Sequence, residues 1–424
     1  MSFPTVPLRR LFKVANGGTP TAAEENWGGD VPWATPVDLS GDDIEISTTH
    51  RCLTKAGALN GSRIVPAGSI LLSTRAPIGY TALAGVPMAF NQGCRALLPT
   101  AEVDARFFRY QLEARKEDLQ SLGMGTTFVE LSSGGLAQVD VSAPEVEGQR
   151  RIADFLDLEL ERLDGVISAR ELQVEKLGEL ESSLISESMV PGGVGAPSGK
   201  FPWPWLPEDG GAPLVRLGYL CHVQGGVTVD ASRAPSPEDV TRPYLRVANV
   251  KAGWLELDSV SEIRVPRSVA EGSTLRAGDV LMTEGGDIDK LGRGTMWNGE
   301  LPGALHQNHV FVLRVDADRL DPQYLTLLTR SSHGRCYFEA TGVKSTNLAS
   351  TSSSKVRSFP VPLISLTEQK KVVAYVNSAL EQVEELRVSL GRQIELLKER
   401  KRALITAAVT GQIDVTTARG ADVS

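Results

Sequence analysis

Cysteine is scarce in this chain. Four residues, Cys52, Cys94, Cys221 and Cys336, are spread over 424 positions with no C-x-x-C pair among them. That spacing excludes a disulfide scaffold and a thiolate zinc cluster, and it points to inert thiols in a reducing cytoplasm. Aromatic residues are also few, at 6%. No apolar run approaches the ~20 residues of a membrane span. The opening MSFPTVPLRRLFKVANGG is basic but lacks an apolar core of signal-peptide length. A basic excess is missing as well: the net charge is −8.

Catalytic motifs are absent. There is no G-x-x-x-x-G-K-[ST] phosphate loop and no G-x-G-x-x-G after a strand; Gly285-Gly286 and Gly292-Arg293-Gly294 read as turn glycines. No Asn-Pro-Pro or Asp-Pro-Pro precedes an aromatic, as gripping a flipped adenine would require. Among the five histidines, His306 and His309 stand three apart with no further ligand at metal spacing, and on a strand they would face opposite ways. Glu399-Arg400-Lys401 has a nuclease-like spacing but reads as a solvated helix face. The chain is therefore expected to be no enzyme and to hold neither metal nor cofactor of its own.

What remains is a turn-rich globular composition, 41% hydrophobic and 23% charged with 41 Gly and 24 Pro, long enough for two or three domains. The acidity is concentrated. Residues 145–189 carry net −7, whereas residues 1–144 carry −2, 213–365 carry +1 and 366–410 carry +2. The two large segments could each present a basic face opposite an acidic one.

The sequence repeats itself. Ala67-Gly68-Ser69-Ile70-Leu71-Leu72-Ser73-Thr74 matches Ala277-Gly278-Asp279-Val280-Leu281-Met282-Thr283-Glu284; Val103 to Phe108 matches Leu320 to Leu325; Gln149-Arg150-Arg151-Ile152 matches Gln369-Lys370-Lys371-Val372. The offsets drift from 210 to 217 to 220, as insertions in the second copy would produce. Each half begins with short β-leaning runs, of which those at 69–74 and 279–283 follow an Ala-Gly turn as a strand leaving a hairpin does, and a short helix is expected near 104–120 and 321–332. These are α+β segments.

Each half then ends in a long amphipathic helix. Leu156, Leu160, Leu163, Ile167, Arg170, Val174, Leu177, Glu181 and Leu184 alternate spacings of 4 and 3, and so do Val376, Leu380, Val383, Arg387, Leu390, Ile394, Leu397, Lys401 and Leu404. A seam kept over about four heptads, free of Gly and Pro, favours an antiparallel coiled coil over two helices packed on separate cores. The expected domains are a first head at 1–144, a helix at 145–190, a linker at 191–212, a second head at 213–365, a helix at 366–411 and a tail at 412–424. The 23 residues Pro191–Pro213 hold six Gly and six Pro, which suits a linker stiffened by proline. A helix of some 36 residues spans ~54 Å, enough to act as a ruler between two heads.

The heads concentrate long polar side chains at inferred loops. The first offers Thr19, Thr21, Trp33, Thr35, Arg75, Tyr80, Asn91, Gln92, Arg95, Thr126 and Thr127; the second offers Arg246, Asn249, Lys290, Arg293, Gln307, Asn308, Lys344, Ser345 and Thr346. Arg reads guanine and Asn or Gln reads adenine in the major groove, while Lys, Arg, Ser and Thr hold phosphates. The same residue types also serve turns and caps. Trp33, Phe90 and Trp254 are expected in the core.

Several strings resemble the target-recognition domains of type I restriction–modification specificity subunits: Ala67 to Gly79, Phe90-Asn91-Gln92-Gly93, Gly17-Gly18-Thr19-Pro20, Trp33 to Asp38, and Gly125-Thr126-Thr127-Phe128. The helix starts at Pro144 to Ile152 and Leu363 to Val372, and Leu404-Ile405 with Thr410-Gly411, fit the same family. The second head departs from it, with Thr283-Glu284-Gly285 for Ser-Thr-Arg and Gln307-Asn308-His309 for Asn-Gln-Gly. The resemblance implies two sheet-rich recognition domains joined by an antiparallel coiled coil and a non-catalytic subunit reading a bipartite double-stranded DNA target. It implies two methyltransferase and two restriction–translocase partners, with S-adenosylmethionine, ATP and Mg²⁺ held by those partners. Two other readings stay open, a stand-alone bipartite DNA-binding regulator and a protein–protein scaffold.

Overall fold

The computed structural model describes residues 3–41, 44–123, 129–190, 206, 211–229, 232–233, 236–286, 288, 291–344 and 349–415. These form two compact units, Met1–Glu171 with Arg392–Ser424, and Leu172–Gly391. Each unit holds one head together with a stretch of both long helices.

In the first head, a five-stranded sheet runs in the order Phe12–Asn16, Cys94–Pro99, Ile70–Ser73, Thr81–Ala84, Glu45–Ile46. The second head repeats its first four strands in the same order, as Cys221–Gln224, Val310–Val315, Val280–Thr283 and Gly294–Met296. Registers agree too: Ala96 faces Leu71 in one, Val312 faces Leu281 in the other. The internal repeat is thus a repeat of topology. A second sheet packs in each head, built on Trp27–Ala34 in the first and Val240–Leu245 in the second.

The turns at Pro66–Gly68 and Arg276–Gly278 differ from the expected hairpins. Ile64–Val65 pairs with Met88–Phe90, whereas Ile70–Ser73 pairs with Cys94–Pro99 and Thr81–Ala84, so the first turn carries the chain between two sheets. Gly285-Gly286 is a short strand on Ala349–Ser350 and not a turn. The expected helix at 104–120 breaks in two, Ala105–Ala114 and Lys116–Ser121, while the one at 321–332 runs Pro322–Arg330 and then breaks to a further helix, Ser332–Thr341. The second break has a local cause, since the Ser331 hydroxyl accepts from the Gly334 amide and caps a new helix.

The long helices span Val146–Met189 and Leu366–Val409, 44 residues each. The second begins at a capping box, in which Ser365 Oγ accepts from the Glu368 amide while the Glu368 carboxylate accepts from the Ser365 amide and hydroxyl. It ends at Gly411, whose φ of 73° reverses the chain at little cost.

The seam is where the heptads put it. Leu156, Leu160, Ile167, Val376, Val383, Leu390 and Ile394 are buried, and Leu163, Val174, Leu177, Leu184, Leu380, Leu397 and Leu404 are half-buried. In the first unit the helices run antiparallel, because Asp164 meets Lys401 at 2.7 Å and Glu171, farther along, meets Lys398 at 3.2 Å. Lys401 therefore sits on the seam and not on a solvated face.

Each head closes its core with helix ends. Ile152, Ala153, Leu156 and Leu160 at the start of the first long helix, and Ile405, Ala408 and Val409 at the end of the second, join Phe12, Ile70, Leu72, Phe107 and Phe108 in one cluster. In the second unit Val373 and Val376, with Ile185, Met189 and Val190, join Val280, Met282, Tyr324, Leu328 and Phe338. Fully burying one such aliphatic chain stabilises by ~1.5–3 kcal/mol, so the helices are structural parts of the heads.

Candidate nucleic-acid interface

The Gly17 turn and the Asn91-Gln92 turn, distant in sequence, meet in the first head. The Gly18 amide donates to the Phe90 carbonyl at 2.9 Å. A side chain at Gly17 would place its Cβ 2.1 Å from the Asn91 carbonyl oxygen, so only glycine allows the approach. Asn91 Oδ1 accepts from the Gly93 amide at 2.9 Å, which holds the turn, and the Thr19 hydroxyl hydrogen-bonds the Gln92 side chain at the surface. Beside it the Asn91 amide bonds the Ala34 carbonyl, and the next residue, Thr35, has its amide and hydroxyl bonded to Asp38 at 2.8 and 2.6 Å. Partial burial pushes the Asp38 carboxyl up, but hydrogen bonds from Thr35 and His50 outweigh it and hold it below the usual carboxylate range.

The second head rebuilds this scaffold with other side chains. The Val227 amide donates to the His306 carbonyl at 2.8 Å, and a Cβ on Gly226 would lie 2.2 Å from that same oxygen. Gln307 and Asn308 stand where Asn91 and Gln92 do, with the Gln307 amide bonded to the Leu245 carbonyl. Arg246 takes the place of Thr35, and its amide is held by Asn249 Oδ1 at 2.9 Å, the role Asp38 plays in the first head.

Charges differ between the two sites. In the first, Glu130 lies between two arginines, 3.0 Å from Arg75 and 2.6 Å from Arg95. Burial pushes the Glu130 carboxyl up, yet the bonds from Arg75 and Arg95 prevail and hold it low. Arg95 is 9% exposed and also donates to the Gln92 and Cys94 carbonyls and to Ser133 Oγ, so it braces the amide turn from beneath. Arg75 is the exposed member. In the second, Gly285 occupies the place of Arg75, and His309 meets Glu284 at 2.7 Å. Lys344 is exposed on the adjoining strand Val343–Lys344.

Other candidates lie elsewhere. Asn249 is 2% exposed and its amide nitrogen is spent on the Glu256 and Ser259 carbonyls, so it cannot reach a base. Trp33 is 4% exposed, bonds the Gly18 carbonyl through its indole N–H and packs edge-on against Trp27. Thr21 ties down the same turn through Asn26 and Trp27. Tyr80 lies under the Lys116 ammonium at 3.9 Å, and Arg293 lines a separate cavity with Gly178, Glu181 and Arg330. Thr126, Thr127, Lys290, Ser345 and Thr346 fall outside the described residues.

Trp254 corrects an expectation: it is 54% exposed, on a turn where the Lys251 amide bonds its carbonyl. The neighbouring Gly253, with φ of 84°, was the sequence signal for a tight surface turn. Glu130 and Asp38 organise the first site but were missed as site residues, since a lone carboxylate carries no sequence signal of the partners it will meet. Burial pushes the Cys221 thiol up to about 12 and raises Cys94 and Cys336, which keeps these thiols protonated. Among the described residues no helix is long and apolar enough to cross a membrane.

Comparison with known proteins agrees with this architecture. Residues 3–174 match the type I restriction modification DNA specificity domain. The type I restriction enzyme MjaIX specificity subunit of Methanocaldococcus jannaschii is 37% identical over 188 residues, 43% of either chain. The EcoR124I/EcoR124II specificity subunit of Escherichia coli is 26% identical over 35% of this chain and 39% of its own, so these two alignments span about two fifths of those relatives. The EcoKI specificity subunit of Escherichia coli K12 is 19% identical over 80% of this chain and 73% of its own. In fold, the chain resembles the HsdS subunit of Thermoanaerobacter tengcongensis with a TM-score of 0.52, 17% identity and 97% coverage of both chains. A chain from a structural study of complex assembly and conformational transition in the type I R-M system gives 0.72, at 17% identity, over 97% of this chain and 98% of its own.

Proposed function

From the match of residues 3–174 to the type I restriction modification DNA specificity domain, we propose that the chain is a specificity subunit whose two heads read the two halves of a bipartite DNA target. The observation that carries this reading is the duplicated scaffold with exchanged side chains. Both heads press a glycine against the backbone where an amide pair begins, Gly17 against Phe90 and Asn91 and Gly226 against His306 and Gln307. Around that shared frame Thr35 becomes Arg246, Arg75 becomes Gly285 and Gly93 becomes His309. One backbone with two sets of readout groups is what two different half-sites require. Asn and Gln amides suit adenine, Arg246 suits guanine, and Arg75 and Lys344 suit phosphates.

The long helices set the spacing between half-sites. At ~1.5 Å per residue, 44 residues make ~66 Å of helix, longer than the ~34 Å of one DNA turn. The chain performs no chemistry itself. Two methyltransferase subunits dock on it and modify adenine, and two restriction–translocase subunits join to act on unmodified DNA. S-adenosylmethionine, ATP and Mg²⁺ belong to those partners. Near-neutral heads neutralise few phosphates, so the chain alone binds DNA weakly and the methyltransferase complex binds tightly and with steep salt dependence.

Methylome mapping of the host with and without the gene tests the reading. Loss of one bipartite methyladenine motif supports it. An unchanged methylome in a strain that expresses the chain contradicts it.

A further inference from the structure

Glu181 and Lys401 occupy equivalent places in the repeat, 220 residues apart, at the ends of the two long helices, and they carry opposite charges. In the second unit Glu181 takes an ion pair from Arg330 of the head at 2.7 Å and another from Arg387 of the second helix at 2.8 Å. In the first unit Lys401 takes Asp164 of the first helix at 2.7 Å and shares a cleft of about 440 Å³ with Glu113 of the head, which Arg109 pairs at 2.9 Å from the same cleft. Glu113 is the repeat counterpart of Arg330. The sign is reversed at Glu181 and Lys401 and at Arg330 and Glu113; on the helix side the counterpart of Asp164 is Glu384, which in the second unit pairs with Arg387.

The apolar neighbours make no such distinction. Ile185 and Ile405 are counterparts and each is 2% exposed in its own unit's core, as are Met189 and Val409 at 3% and 1%. By packing alone, the first half of one chain could therefore pair with the first half of another. Charge forbids it. Glu181 in the place of Lys401 would lie beside Asp164 and Glu113, Gly178 in the place of Lys398 would leave Glu171 without its cation, and two segments of net −7 would lie together. In the reciprocal arrangement Lys401 would face Arg330 and Arg387, whose two positive charges the single carboxylate of Glu384 on Arg387 offsets only in part. Like charges so placed repel, the more so where water is partly excluded.

We propose that the charge reversal at Glu181 and Lys401 is a pairing code, by which each half accepts the other half of the chain and rejects the same half of a second copy. This holds whether or not the heads read DNA. The test is the oligomeric state of the full chain by analytical ultracentrifugation at low and high salt. Glu181→Lys breaks the native pairs and supplies the like half of a second copy with an attractive contact to Asp164 and Glu113. Glu181→Ala breaks the native pairs and supplies nothing.

Glu181→Lys should dimerise at least about tenfold more tightly than Glu181→Ala, about 1.4 kcal/mol, and salt should weaken the dimer. Adding Asp164→Lys to Glu181→Lys should return the chain toward monomer, although it strains the native fold further. Equal association of Glu181→Lys and Glu181→Ala overturns the proposal, as does a dimer or aggregate that Asp164→Lys leaves intact or strengthens.

Discussion

The side-chain oxygen of Gln149 accepts the backbone N–H of Asp104 at 2.9 Å, tying the start of the first long helix to the start of a helix in its head. The Gln149 amide nitrogen donates to the Pro144 carbonyl at 2.8 Å. Gln369 repeats the arrangement in the second unit, accepting from Asp321 at 2.8 Å and donating to the Arg319 and Ile364 carbonyls. Both glutamines are buried, at 3% and 0% exposure. They explain the matching Gln-Arg-Arg-Ile and Gln-Lys-Lys-Val strings: the first residue is a strut and the basic pair behind it faces solvent.

Removing a strut leaves buried backbone groups unpaired, at ~1–3 kcal/mol for each. Gln149→Ala should lower the denaturation midpoint and raise amide exchange around Asp104 while sparing Asp321; Gln369→Ala should do the reverse. Hydrogen exchange by mass spectrometry checks this, and uniform loss of protection in both heads would contradict it.

The Glu130 carboxylate is held low by Arg75 and Arg95. Its folded value lies below its unfolded one, so it contributes stability above the unfolded value of ~4.3 and loses it as pH falls through the folded value. Urea midpoints should drop on the acid side of that window, and Glu130→Gln should flatten that part of the profile. Equal acid slopes in both proteins would count against the triad.

Methyl addition at the glycine contacts is unforgiving because the neighbour is backbone: the Asn91 carbonyl oxygen at 2.1 Å for Gly17, the His306 carbonyl oxygen at 2.2 Å for Gly226. Gly17→Ala should displace the Asn91-Gln92 turn and weaken recognition of one half-site by roughly tenfold or more, with the chain still folded, as the loss of ~1–3 kcal/mol of base contacts implies. Gly226→Ala should do so for the other. Methylation assays on single-half-site mutant DNA with the methyltransferase complex distinguish the two.

Direct readout predicts a division of labour. Gln92→Ala should relax discrimination within one half-site and Asn308→Ala within the other, each by ~1–3 kcal/mol per lost bidentate contact. Arg75→Ala should weaken binding to all sequences alike and lower the salt slope by about one phosphate's share. Relaxation of both half-sites by one amide variant would contradict the assignment.

The sequence was most legible where a period carries the information. The heptad seam puts every apolar position from Leu156 to Leu404 in a buried or half-buried place, because a helical stripe needs only its own spacing. Paired strands such as Ile70–Ser73 and Val280–Thr283 were visible as a repeat, yet their partners were not, since register is set across the sheet. Side-chain roles were the least legible. Asn249 and Arg95 are polar residues in loop-like sequence that turn inward to brace backbone carbonyls, and Trp254, a core residue type, sits on an exposed turn. The charge reversal at Glu181 and Lys401 was written in the sequence but became meaningful only with Arg330 and Asp164 beside them.

The central claim is that two heads read two half-sites at a spacing set by the long helices. It is tested most directly by deleting one heptad from both helices, Ile167–Gln173 and Gly391–Leu397, and mapping methylation in vivo. Seven residues remove ~10.5 Å, about three base pairs at ~3.4 Å each. The account predicts both half-sites unchanged and the gap between them shortened by about that much. An active complex with the original gap would contradict it.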